Sequence, residues 1–239
     1  MDKLEQSKIK DFYNSTPQIW ASYDSWHLYS KKCLEKIINK HSFRTIDYVL
    51  NAGSGGNSYG QSCRMHHVDI ADEKIAGMKE FTVSSIENLP FKATIFDGIL
   101  CVGSVINYCD AVATISEFSR VLKEGGKLIL EYENSWSYEY RNKNSYKSSA
   151  SIITTTFQKE SHQNWIFSYK YINSILRSYN FRILKTYRFH ILSAFMLSKG
   201  YSEQDSVKYV KFDKILQYIP FIKNHSSNVM VICEKQTTH

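Results

Sequence analysis

The chain has no uninterrupted apolar run of about 18 residues, the length a membrane-spanning helix needs, so no such span is expected. No apolar stretch follows the charges of Met1 to Gln6, so nothing there reads as a secretory signal. The five cysteines, Cys33, Cys63, Cys101, Cys109 and Cys233, form no CxxC pair. That pattern argues against zinc or iron–sulfur ligation and for reduced thiols in a cytoplasm. No compact acid cluster suggests a metal at the strand ends, and none is expected. There is also no arginine-rich arm: the formal charge of +7 is scattered, with only short groupings such as Lys31-Lys32 and Arg141 with Lys143. A nucleic-acid partner is therefore not expected, and the charge fits attraction of an anionic small substrate or phosphorylated carrier equally well. At 239 residues and 43% hydrophobic content, one compact domain with an appended cap is favoured over two independent domains.

The most informative segment is Tyr48 to Asn57. Tyr48, Val49 and Leu50 read as a buried strand, and Gly53, Gly55 and Gly56 follow it at once. A turn without side chains lets the backbone approach a ligand closely. A second apolar run ends in an acid at Asp69, followed by Ile70, and a third segment spans Phe81 to Phe91. Phe96 to Val102 reads as a strand, and Val112, Ile115, Phe118 and Val121 or Leu122 are spaced for one buried helical face. Gly125 and Gly126 are expected to stop that helix, with a strand from Lys127 to Tyr132 after them. Strands alternating with helices predict an α/β fold with a parallel sheet covered on both faces and a ligand crevice at the strands' carboxyl ends.

At this point the chain resembles the class I S-adenosylmethionine-dependent methyltransferases of the type 11-like, small-molecule group. Four blocks carry the resemblance: Val49 to Gly56, Asp69, Ser85 to Phe91, and Phe96-Asp97 through Val121 to Lys127. It implies a Rossmann-like, mostly parallel seven-stranded sheet whose last strand is antiparallel, with S-adenosylmethionine as cofactor and S-adenosylhomocysteine as product. By the same resemblance, Ala52, Gly53, Ser54 and Gly55 face the methionine part, Asp69 holds the ribose hydroxyls, Ile70 packs on adenine, and Ser85 and Ile86 recognise it, with Val102 also in the site. Two positions depart from the family: Asn51 stands where relatives carry an acid, and Ser85 where many have Asp. The segment from Gly56 to His67 is short for a full first helix. A dinucleotide-binding dehydrogenase shares the sheet, but the third glycine of its fingerprint would be Ser58. Neither Asn nor Asp precedes Pro-Pro and there is no Pro-Cys pair, so the signatures of exocyclic-amine and cytosine methylation are missing.

The remaining segments are expected to hold the substrate. Residues 1–44 read as an aromatic-rich helical arm or lid, helical after Pro17, and residues 45–239 as the S-adenosylmethionine-binding domain with cap insertions at about 135–165 and 191–218. The β-branched run Ile152 to Thr156 suggests an extra strand or hairpin, and Ile191 to Tyr218 looks helical. Tyr23, Trp26, His27, Asn107 and Tyr108 are the expected substrate contacts. Strand alternation puts Glu131 and Glu133 on one side, with Glu133 the better candidate for substrate contact. A sulfonium carries an already activated methyl group, so the protein must align a nucleophile and exclude water, adding a base for a hydroxyl or protonated amine. Among histidines His190, at a strand end, is the first candidate for that base, with His27 and His162 after it. The expected activity is methyl transfer to oxygen or nitrogen of a small organic acceptor, such as a natural-product, glycan or quinone-like intermediate. The alternatives are a non-catalytic S-adenosylmethionine-binding partner or sensor, and a nucleic-acid methyltransferase. Homodimerisation through the arm or the 191–218 cap is left open.

Overall fold

A computed structural model describes residues 4–158 and 160–237. Two helices lead, α1 (Gln6–Ser15) and α2 (Ser25–Lys40), the latter capped by Asp24, whose side chain accepts from the His27 N–H. Then come β1 (Tyr48–Ala52), β2 (Arg64–Asp69), α3 (Asp72–Ile75), β3 (Phe81–Val83), β4 (Phe96–Cys101), α4 (Ala111–Val121) and β5 (Leu122–Glu133). A hairpin of β6 (Ala150–Phe157) and β7 (Glu160–Phe167) follows, then α5 (Tyr169–Ser178) and β8 (Phe181–Phe189). Four short helices, α6 (Leu192–Ser198), α7 (Glu203–Val207), α8 (Asp213–Leu216) and α9 (Pro220–Lys223), lead to the final strand β9 (Asn228–Lys235).

Seven strands form one sheet in the order β3-β2-β1-β4-β5-β9-β8. The pairings from β3 to β5 are parallel, and β9 runs antiparallel to both β5 and β8. This is the expected Rossmann-like sheet with its last strand reversed. The order turns outward on either side of the β1–β4 pair, which opens a crevice at the strands' carboxyl ends.

Period-two alternation sorts the buried side chains onto two faces. Leu50, Ile99, Cys101, Leu128, Leu130, Val229 and Val231 pack with Ile115 and Phe118 of α4 and Ile172 and Leu176 of α5. Val49, Leu100, Ile129, Met230 and Ile232 pack with Leu34 and Ile38 of α2. Each such aliphatic side chain, removed from water, contributes about 1.5–3 kcal/mol before chain entropy is counted. On the α2 face the alternation of β5 continues from Ile129 to Glu131 and Glu133, so polar groups replace core residues where the crevice begins.

Local details differ from the sequence expectations. α4 ends at Val121, and Gly125 and Gly126 fall inside the twelve-residue β5. Residues 17–24 are turns, with α2 starting only at Ser25. The Ile191 to Tyr218 stretch breaks into three short helices and a 3-10 turn. Scattered glycine and polar residues interrupt its apolar spacing, so no single stripe can sustain one long helix. Residues 57–63, where a first helix was doubtful, are irregular.

Candidate active site

The turn after β1 is closed by contacts that only glycine tolerates. Gly53 has φ +68°, and a Cβ there would come within 2.2 Å of the Val105 side chain; at Gly56, with φ +76°, it would meet the Lys74 carbonyl at 2.4 Å. Asp69 ties this loop to the end of β2, since one carboxylate oxygen accepts from the Gly55 N–H at 2.8 Å and the other from the Ala71 N–H at 2.9 Å. Burial raises the Asp69 pKa, and the backbone N–H groups around it oppose that rise.

A cavity opens over this loop. Gly53, Ser54, Gly55, Asp69, Ile70, Ser85, Ile86 and Val102 all line it. Ala52 does not: the alternation of β1 turns its methyl group into the core beside Leu50. The other wall is α1, through Gln6, Ile9 and Tyr13. The Gln6 amide donates to Ser85 Oγ at 3.0 Å and to Glu87 at 3.1 Å, the Asn14 amide donates to Asp72 at 2.9 Å, and the Lys74 ammonium donates to the Thr16 carbonyl.

A second cavity adjoins the first, sharing Tyr13, Ile19, Trp20, Gly103 and Tyr108 with it. Carboxyl groups of Glu131, Glu133, Glu139 and Glu203 line it, together with Trp26, His27, Tyr140, Phe157 and His162. Glu131 is buried and fully engaged, accepting from the Gly103 and Ser104 N–H groups at 2.9 and 2.6 Å and from the Asn228 amide at 2.7 Å. Glu133 accepts from the Asn164 amide at 3.0 Å. Its pKa is pushed up to about 7, first by burial and then by the neighbouring charges of Glu139 and Glu131. Burial likewise raises Glu139. For His27 burial opposes the charged form, but the Asp24 carboxylate 2.7 Å from Nδ1 outweighs it and raises the pKa. His162 Nε2 meets the Tyr108 hydroxyl at 2.8 Å, while burial lowers its pKa.

The structure brings Trp26, His27, Tyr108 and Glu133 together around this second cavity, and it moves three sequence candidates out of it. His190 is fully buried, stacked on Trp26 with ring centroids 3.7 Å apart, and its two ring nitrogens meet Ser30 Oγ at 3.0 Å and Ser193 Oγ at 2.9 Å. Burial drives its pKa down to about 3, so it stays neutral and has no free nitrogen to act as a base. The expectation of a catalytic His190 is thus corrected to a brace between α2, β8 and α6. Asn107 is buried too: its amide donates to the Trp165 carbonyl at 2.6 Å and its oxygen accepts from the Glu133 N–H at 3.1 Å, so it joins β5 to the hairpin. Tyr23 is 77% exposed and lines neither cavity. Sequence reasoning missed Glu139, Tyr140, Phe157 and Glu203. They come from the loop after β5, the hairpin and α7, and no spacing in the sequence ties them to the glycine loop.

Among the described residues no group of His, Cys, Asp or Glu side chains is arranged to hold a metal, and no helix is long and apolar enough to cross a membrane. Residues 47–130 match the family described as Methyltransferase domain. No curated protein matches the sequence. The fold is similar to that of 1,6-didemethyltoxoflavin-N1-methyltransferase from Burkholderia thailandensis, solved with 1,6-didemethyltoxoflavin and S-adenosylhomocysteine, at 14% identity over 97% of this chain and 87% of that one, with a TM-score of 0.58. It is similar as well to geranyl diphosphate C-methyltransferase from Streptomyces coelicolor, solved with Mg2+, geranyl diphosphate and S-adenosylhomocysteine, at 11% identity over 96% and 97% of the two chains, with a TM-score of 0.60. The PH0226 protein of Pyrococcus horikoshii gives 14% identity, 95% and 99% coverage and a TM-score of 0.61. The domain match, the strand order and the glycine loop tied to Asp69 agree: residues 47–130 carry a methyltransferase domain, set in a sheet of the S-adenosylmethionine-dependent methyltransferase fold.

Proposed function

We propose that the protein methylates an oxygen or nitrogen of a small organic acceptor held in the second cavity, with Glu133 as the proton acceptor. The observation that carries this reading is the continuity of the two cavities at Gly103, Trp20, Tyr13 and Tyr108, with Glu133 on the far wall. The first cavity suits the methyl donor. Gly53 and Gly55 line it without side chains, with Val105 and Ile19 packed against the glycine backbone at their sides. Asp69 has accepted two backbone N–H bonds and keeps lone pairs for two ribose hydroxyls. Ile70 and Ile86 offer apolar surface to adenine, and Ser85 a hydroxyl.

When bound, the donor supplies an electrophilic methyl carbon whose S–C bond breaks with its electron pair passing to sulfur. The chain's own part is positioning and proton transfer. Tyr13, Trp20 and Tyr108, at the junction, exclude water and hold the acceptor in line. Glu133, poised near neutrality by burial and by its acidic neighbours, takes the proton as the acceptor's lone pair forms the new bond. In this reading residues 1–44 are the arm that closes the donor site. The insertion at 135–165 supplies Glu139, Tyr140, Phe157 and His162, and the one at 191–218 supplies Glu203. Free cysteines at all five positions support a cytoplasmic setting.

The test is calorimetric binding of S-adenosylmethionine, S-adenosylhomocysteine and NADPH to the wild type and to Asp69→Ala, followed by methyl transfer from labelled donor to an acceptor panel. Binding of the two sulfur compounds with loss in the variant is the expected result; binding of NADPH in their place overturns it. Donor binding with no transfer to any acceptor would favour a sensor or partner subunit.

A further inference from the structure

We infer that the acceptor is a small organic cation, an amine protonated near neutral pH, recognised by carboxylates and aromatic faces of the second cavity. This rests on the methyl-transfer reading above and names the acceptor's chemical class.

The site itself is given by its continuity with the donor cavity, and the question is what its lining selects. Four glutamates line it, and no lysine or arginine does among the described residues. None of the four takes part in a salt bridge: the ion pairs of the described residues use other acids, such as Asp24, Glu80 and Glu117. Glu131 has three N–H donors to spread its charge. The hydrogen-bond partners of Glu133 and Glu139 are neutral, the Asn164 amide and the Ser137, Ser227 and Tyr140 hydroxyls, while His27 and Lys143 act on them only through space. Of the two histidines, His27 is already committed to Asp24, and His162 engages the Tyr108 and Thr155 hydroxyls. The chamber therefore holds more acids than bases, four glutamates against His27 and the nearby Lys143, in a chain whose overall charge is +7. Carboxylates shielded from water either take up protons or draw in a positive group.

The second observation is independent of charge. Trp20, Trp26, Tyr13, Tyr108, Tyr140 and Phe157 line the same cavity, and aromatic faces attract cations while offering nothing to an anion. Carboxylate or phosphate acceptors are disfavoured on both counts. No lysine or arginine of the scattered basic surface, which on charge alone suggested an anionic substrate, lines this cavity, although Lys143 acts on Glu139 through space.

The chemistry balances. An ammonium N–H proton passes to the Glu133 carboxylate, giving a neutral amine and a carboxylic acid. The freed nitrogen pair then forms the N–C bond while the S–C pair returns to sulfur. Glu139 and Glu203 supply the charge that seats the cation and are not consumed.

The experiment uses the full chain, first titrated with S-adenosylhomocysteine and then held saturated with it. Three matched probes follow by calorimetry at pH 8: phenethylamine, 2-phenylethanol and phenylacetate. Phenethylamine is expected to bind at least about tenfold tighter than the alcohol, with phenylacetate weakest. Glu133→Gln and Glu139→Gln should each lower phenethylamine affinity by about tenfold and leave 2-phenylethanol unchanged, with S-adenosylhomocysteine affinity retained as the check on folding. Equal affinity for the three probes, preference for phenylacetate, failure of all three to bind, or insensitivity of the amine to both substitutions overturns the proposal. Failure of the first titration, with S-adenosylhomocysteine, would instead sink the methyltransferase reading.

Discussion

The two adjoining cavities are built in opposite ways. The first is made mostly from the ends of β1, β2 and β4 and the loops directly after them, with backbone atoms forming much of its floor. The second is made from side chains carried by α2, the end of β5, the loop after it, the β6–β7 hairpin and α7. A backbone-built site is constrained by turn geometry and tolerates few sequences. A side-chain-built site can be rewritten by changing any one insertion, which is how one fold serves many acceptors.

The largest effect should fall in the second cavity. Glu133→Gln is expected to lower kcat/KM by roughly 10²–10⁴, the span a general base contributes, with S-adenosylhomocysteine affinity unchanged. In the wild type kcat/KM should rise with pH through about 7 as Glu133 ionises, and the variant should lose that limb; an unchanged profile would move the base elsewhere. The same substitution separates catalysis from stability. The Glu133 pKa is raised from 4.5 to about 7 on folding. Its contribution is thus fully present below pH 4.5 and is lost as pH rises through 7. Glu133→Gln should therefore be more stable than wild type at pH 8, by roughly 3 kcal/mol, with the gap closing towards pH 4.5; denaturant unfolding at the two pH values reads this out.

In the first cavity, Asp69→Ala should weaken S-adenosylhomocysteine by at least about tenfold, or about 1.4 kcal/mol, since it also frees the Gly55 and Ala71 N–H groups. Calorimetry showing full affinity would break the contrast drawn between the cavities. His190→Asn, which keeps a residue type tolerant of the positive φ of 55°, should lower stability by about 1–2 kcal/mol and leave the pH profile of kcat/KM in place. A lost alkaline limb would restore His190 as the base. Tyr23→Ala should change stability and turnover least, within about 0.5 kcal/mol, because the ring is exposed.

This contrast also explains what could be read in advance. The positions of the glycine turn after Leu50 and of the acid Asp69 at the end of β2 were legible because they follow from local conformation and regular spacing, while their part in donor binding came from the family resemblance. Glu133 was legible through strand alternation from Ile129. Ala52 was misplaced because the alternation of β1 was not followed to its end, and Tyr23 because its turn leaves the ring in solvent; Asn107 and His190 were misplaced for another, shared reason. Sequence gives a residue's neighbourhood, but the direction of its side chain depends on packing partners far along the chain, such as Trp26 for His190 and Trp165 for Asn107. Glu139, Phe157 and Glu203 lie in insertions whose placement depends on tertiary contacts alone.

The arm α1 lies across the first cavity, held by Gln6 to Ser85 and Glu87 and by Asn14 to Asp72, yet none of its own residues is fully buried. A helix of ten residues, held by these part-buried bonds and by ring contacts of Phe12 with Phe157 and His162 and of Tyr13 with Tyr108, opens at lower cost than the core elements. The expected consequence is that release of S-adenosylhomocysteine is limited by the frequency with which this helix lifts. Amide hydrogen exchange in residues 6–15 and the rate of product release should then rise and fall together across variants of the arm, and release that ignores the exchange rate would separate the two.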